Sequence, residues 1–327
     1  MSRLLPFLLA IWSAPAAAGE PARPQVVVLL PISESEALRP LTLLLAARAS
    51  EVLEGSSGEG VVEVQLRQAL RALEEEGLAA APGQVERLRA LVGADRALAF
   101  EVRGGPALTL RLSLATGGRP AVSVVPLGTS WSAALTQGGL ALAAALLGHP
   151  PSPAAVQPDS SSDEALRSLG TCWASALRQP LAVETPALLD AGELERARAS
   201  CRRALTLDPS LRFASAVLAL VEAIAGDDAA AVERLRALGP GDEVLEPATL
   251  ARFWLLTRYQ SNAAGEAFLR EVVSRHPLEL LPRATLGETL LTEGAFAEAE
   301  VVWRAYAQLS PRSSWALGRL SKAVARQ

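Results

Sequence analysis

"LTEGAFAEAEVVWRAYAQLSP", residues 291–311, carries a glycine, a run of small residues, two large aromatics and a terminal proline, and its reading decides the second half of the chain. Steps of 34 residues back from Pro311 reach Pro277, Glu243 and Pro209; from Gly294 they reach Gln260, Gly226 and Gly192; from Ala299, Gly265, Ala231 and Ala197. Two further columns stay apolar or thiol-bearing throughout: Trp303, Leu269, Leu235 and Cys201, then Tyr306, Val272, Leu238 and Ala204. The opening stretch is therefore the last of four copies. Such columns predict helix pairs: small residues let two helices approach, large apolar ones fill the space beside them, and proline ends the second helix.

A 34-residue period with Leu286-Gly287, Gly294, Ala299, Trp303 and Pro311 resembles the tetratricopeptide repeat (TPR), a stack of helix pairs. Copy two keeps Leu218, Gly226 and Ala231 but has Glu243 for the proline, and copy three has Gln260 for the glycine. In copy one the first-helix positions hold "QPLAVETPALLD" (179–190). Pro180 and Pro186 would each cost about 3 kcal/mol inside a helix. "SSDEALRSLGTCWASALRQ" (161–179), capped by Ser162 or Asp163, is instead predicted to cover that copy. "SSWALGRLSKAVARQ" (313–327) reads as a closing helix with Trp315 turned inward.

The amino-terminal half has a different rhythm. "QVVVLLPI" (25–32) suits a buried strand. A Leu/Ala-rich helix follows from about 36 to 53, then a Gly/Ser break at 55–60, then "VVEVQLRQALRALEEEG" (61–77) as a short strand running into a helix. The helix "GQVERLRALVG" (83–93) leads into three segments, "RALAFEVR", "ALTLRLSLAT" and "AVSVVPL", whose short Gly-Gly turns predict an antiparallel meander. "SWSAALTQGGLALAAALLG" (130–148) closes the unit as a helix. The whole chain is thus expected to be α+β, a small sheet with covering helices over 25–148, followed over 164–327 by an all-α array with a carboxy-terminal cap. The Gly93-Ala94-Asp95 and Thr116-Gly117 stretches, in this order of elements, resemble the small α/β domain of bacterial envelope proteins, the amino-terminal domain of TolB and the curli-secretion CsgG group. That resemblance implies a binding or assembly domain without an active site.

Composition narrows the classes of function. With a net charge of −4 there is no basic surplus to match a phosphate backbone, so nucleic acid is not an expected partner. Arg3, the apolar run Leu4–Trp12 and Ala16-Ala17-Ala18 predict an export signal over 1–18, cleaved near Ala18. Its apolar run is about half of the roughly 20 residues that span a bilayer, so no lasting membrane span and a bacterial periplasmic location are expected. Export places Cys172 and Cys201 where a disulfide persists. If a helical hairpin turns between them, the two lie level, each about 10–12 Å from the turn. Two readings stay open, a disulfide or two small buried thiols. The Pro- and Ser-rich stretch 149–163 reads as a semi-extended linker.

Catalytic machinery is thin. His149 and His276, the two histidines, stand beside prolines and form no His-Glu-x-x-His pair. There is no Gly-x-Ser-x-Gly elbow, no phosphate loop with its lysine and no Cys-x-x-Cys, so no catalytic residue, metal site or cofactor is assigned. The leading expectation is a non-enzymatic exported scaffold that binds a protein or peptide partner. The repeat resemblance implies a groove lined by the first helix of each pair, with Phe213, Leu220, Trp254, Arg258, Glu288 and Leu291 on its face. Trp254 and Arg258, four apart on one helical face, are the strongest candidates because Trp and Arg concentrate binding energy. The competing role for Trp254 is to fill the space between copies two and three. The alternative function is an envelope protein whose α/β unit takes a small molecule or glycan, or acts on one, with the helices as tether. A deep polar pocket between sheet and helices would favour it.

Overall fold

The structure is a computed structural model that describes residues 24–33, 35–54, 61–64, 66–151, 160, 162–177, 190–239 and 245–327. The export segment, the 55–60 break, most of the 149–163 linker, Pro180, Pro186 and Glu243 lie outside the described residues.

β-Branched and apolar runs become the strands β1 (Gln25–Ile32), β2 (Val61–Val64), β3 (Arg96–Arg103), β4 (Leu108–Ala115) and β5 (Ala121–Gly128). They form one mixed sheet in the order β2-β1-β3-β4-β5. β1 runs parallel to β2 and β3, with Val27 opposite Glu63 and Arg96, while β3, β4 and β5 are the antiparallel meander. The helices of this half are α1 (Arg39–Glu54), α2 (Leu66–Glu75), α3 (Val85–Val92) and α4 (Trp131–Leu147). The two-residue alternation sends Val27, Leu29, Leu98 and Phe100 to the face covered by α1 and α4. It sends Val26, Val28, Leu30 and Ala99 to the face covered by α2 and α3.

The second half is all helix among its described elements: α5 (Asp163–Leu177), α6 (Ala191–Leu207), α7 (Arg212–Ala225), α8 (Asp228–Ala237), α9 (Glu246–Tyr259), α10 (Asn262–Arg275), α11 (Leu280–Glu293), α12 (Phe296–Leu309) and α13 (Ser314–Ala325). Helices α7, α9 and α11 begin at 212, 246 and 280, and their partners α8, α10 and α12 at 228, 262 and 296, so both sets recur every 34 residues. The small-residue column Ala197, Ala231, Gly265 and Ala299 is buried at every copy, as are Cys201, Leu235, Leu269 and Trp303. Gly287 shows why size matters there. A Cβ on it would lie 2.7 Å from the Trp303 ring, so the glycine lets α11 settle on α12. Asp208, His276 and Ser310, each before a proline, leave the helical region at φ −148°, −125° and −128° and so end their helices.

Two details of the sequence pattern are settled by the structure. Gly192 is not a turn glycine like Gly226 and Gly294, which sit at φ 84° and 78°. α6 begins at Ala191, so Gly192 lies in its first turn and donates its N–H to the Asp190 carboxylate at 2.8 Å. Of the two proposed caps of α5, Ser162 takes the role, accepting from Ala165 N. Asp163 instead caps α4, accepting from the N–H groups of Trp131 and Ser132 at 3.0 and 3.1 Å.

The two halves share their cores. α5 packs on α1, where Gly170 meets Pro40 so closely that a Cβ would stand 2.8 Å from the ring. At the other end α13 packs on α3, on the opposite face of the sheet. The array therefore starts on one face, curls past the β2 edge and finishes on the other. Cys172 of α5 and Cys201 of α6 are joined as a disulfide, with Cα atoms 5.2 Å apart.

The closing contact is built from backbone. Ser310 Oγ donates to Val92 O at 2.7 Å and Ser314 Oγ to Leu91 O at 3.2 Å, so hydroxyls from the array satisfy the open carbonyl end of α3. Gly93 ends α3 at φ 69° and lies directly against the backbone at Arg312 and Ser313. Asp95, two residues on, exchanges bonds with β1: its N–H donates to Val26 O and its carboxylate accepts from Val26 N. The Gly-Ala-Asp stretch thus joins helix end, strand and array.

Candidate partner-binding surface

Of the six residues expected to line a groove along α7, α9 and α11, five are taken up by packing and ion pairs within the chain, and Arg258 alone of the six is exposed. Leu220 is fully enclosed, and Phe213, Trp254 and Leu291 are buried. Phe213, at the start of α7, meets the Trp173 ring edge-on at 5.2 Å. Glu288 is engaged in ion pairs, with Arg319 of α13 at 2.6 Å and with Arg71 of α2 at 3.5 Å. In this state Leu220, Phe213 and Leu291 serve packing, and Glu288 serves the junction.

The polar side of α2 makes that junction specific. Its apolar side, Ala69, Ala72 and Leu73, lies on the sheet. Its other side reaches the array: Gln68 Nε2 donates to Leu280 O at 3.3 Å, and the Glu75 carboxylate accepts from Trp315 Nε1 at 3.1 Å and pairs with Arg319 at 2.6 Å. Arg71, Glu75, Arg319 and Glu288 form an alternating set of charges shared by α2, α11 and α13. Partly exposed networks of this kind specify register more than they add stability.

Trp254 and Arg258 do come together. The guanidinium lies over the indole, 5.6 Å from its centroid, and Nη1 donates to Ala223 O at 2.9 Å and pairs with Asp228 at 3.0 Å. Tyr259, next along α9, is 64% exposed while its hydroxyl bonds to Asp228. Tyr259 falls outside the 34-residue columns, so the repeat pattern does not single it out. The signal available was a tyrosine next to an arginine at a helix end, a pair suited to contact surfaces.

Two clefts lie between the sheet unit and the array, with about 20 and 40 Å³ of free space. The larger, beside Ser50, Glu63, Trp173, Phe213 and Glu246, has room for a few waters. Drug-sized ligands need roughly 300–1,000 Å³. Within it the Ser50 hydroxyl donates to Glu63 at 2.7 Å. Burial pushes the Glu63 carboxyl up to about 8, the Ser50 bond opposing the rise and Glu279 and Glu246 adding to it. No group of three or more metal-ligating side chains is placed to hold an ion among the described residues, and no helix there is long and apolar enough to cross a membrane.

Compared with known protein families and with characterised proteins, the chain matches none.

Proposed function

We propose that this chain is an exported, non-enzymatic adaptor whose helical array is of the tetratricopeptide kind and takes a protein or peptide partner. The recurrence of helix starts every 34 residues, with the small and large columns buried in the same places, is the observation that carries this reading. The Cys172–Cys201 bridge supports export, because a disulfide persists outside the reducing cytoplasm. The array's inner face already carries one partner, the chain's own sheet unit. An external partner is therefore met at the rim of α9, where Arg258 and Tyr259 stand exposed above Trp254. The water-sized clefts favour this reading over small-molecule or glycan binding.

The test is a comparison of proteins cross-linked to the full-length tagged chain in its native envelope with those cross-linked to an Arg258→Ala, Tyr259→Ala variant. Trp254 is left intact because truncating a buried tryptophan costs about 3–5 kcal/mol and would confuse binding with unfolding. A protein captured by the parent and lost from a variant of near-parental melting behaviour is the expected outcome. Identical captured sets from both would refute the rim as the contact site.

A further inference from the structure

The sheet's two edges are treated differently. β2 lies under α11, whereas β5 ends the sheet on the far side. Val122 is 56% and Val124 64% exposed, on the face opposite α4, and no charged residue occurs between Ala121 and Gly128. Native sheets guard a bare edge with charge, bulges or proline, and here the guards are Pro120, Pro126 and a register shift just past Pro126, where the pairing steps from Thr109 opposite Pro126 to Leu108 opposite Gly128. Within a sheet, proline keeps its nitrogen toward the open side. Backbone groups two residues apart point the same way, so Val122 and Val124 turn their N–H and C=O groups outward with Pro126.

The open window between the prolines, Ala121-Val122-Ser123-Val124-Val125, has its midpoint at Ser123. We infer that β5 pairs antiparallel with β5 of a second copy of this chain, on a two-fold axis through Ser123. Val122 then faces Val124 of the partner subunit in both directions, giving two hydrogen-bonded pairs. Pro120 meets Pro126 of the partner subunit at each end, so the ladder stops where donors run out. A two-fold interface must be self-complementary, and this one sets valine against valine with no charges opposed. Arg111, paired with Val124 on β4, stays one strand back. The two copies of Arg111 are then about 16 Å apart, three strand spacings across and two residues along, beyond the screening length at physiological salt. An unlike partner finds no charge on this strand to recognise.

Sedimentation equilibrium of the full chain over a dilution series tests the pairing. A monomer–dimer equilibrium is expected, and Val122→Lys with Val124→Lys should raise its dissociation constant about tenfold or more while leaving the melting curve unchanged at concentrations where the parent is monomeric. Ser123→Cys supplies a second arm. At the axis the two positions form a non-hydrogen-bonded pair with Cα atoms about 4.5 Å apart, within disulfide reach. Mild oxidation should therefore give a covalent dimer, and Ala121→Cys, displaced from its counterpart by about 14 Å, should not. A parent monomeric throughout, a dimer indifferent to the lysines, or equal cross-linking at both positions would overturn the inference.

Discussion

Replacing Gly93 with alanine tests the closing contact, with Gly77→Ala as its control. The two glycines share one backbone conformation, φ 69° and 68°, but differ in surroundings. An added Cβ at Gly77 meets nothing within 4 Å, whereas at Gly93 it would lie 2.2 Å from Ser313 N and 2.5 Å from Arg312 C. Both obstacles are backbone, so no side-chain rotation relieves them, and the segment 310–314 has to lift. Each substitution costs about 1–2 kcal/mol for placing a non-glycine residue in the left-handed region. At Gly93 the bonds from Ser310 and Ser314 to the α3 carbonyls are lost as well, about 1 kcal/mol each. The expected losses are about 3–4 kcal/mol for Gly93→Ala and about 1–2 kcal/mol for Gly77→Ala. Urea unfolding with linear extrapolation measures both, and hydrogen exchange should show α13 opening selectively in Gly93→Ala. Equal losses at the two positions would refute the claim that the array is clasped to α3 through backbone contact.

Two further outcomes follow from the cleft and the bridge. The Glu63 carboxyl is raised from 4.5 to about 8 in the fold, so the folded state holds a proton that the unfolded chain gives up. Its contribution is complete below about pH 4.5 and is lost as pH rises toward 8. Chemical unfolding at pH 5 and pH 8 should show lower stability at pH 8, and Glu63→Gln should narrow that difference; an unchanged difference would remove Glu63 as its source. The Cys172–Cys201 link closes a loop with a sequence separation of 29. Loop entropy then assigns it about 3–4 kcal/mol, read as the difference between urea curves with and without reductant; no difference would show that the link does not constrain the unfolded chain.

The strands and helix pairs were legible because each rests on a local rule. β1 and β3 match the apolar runs at 25–32 and 96–103 residue for residue, and the columns from Pro311, Ala299 and Trp303 mark helix ends and contacts that recur without reference to the rest of the fold. The union of the halves was not legible. Ser310, Ser313 and Ser314 look like ordinary turn residues, and Gly93 has a sufficient local reason to exist as a helix stop. Nothing in either stretch reports that the other is its partner. Arg71 and Glu75 likewise read as a solvated helical pair until Glu288 and Arg319 are seen beside them. Phe213, Leu220, Trp254 and Leu291 are buried, and a pattern of faces in the sequence cannot say what fills the space beside them.

The wrapping of the array has a consequence for how the molecule is made. Gln68 bonds to Leu280 and Glu75 to Arg319, contacts that span 212 and 244 positions of chain. Helix pairs form from neighbours, but closure waits for the last residues of the chain to be synthesised. Until then the β2 edge and the carboxyl end of α3 stand bare, open to proteases and to strand exchange. A chain truncated before Ser310 keeps that immature state permanently, so loss of its final helix should mark it for degradation rather than merely shorten it.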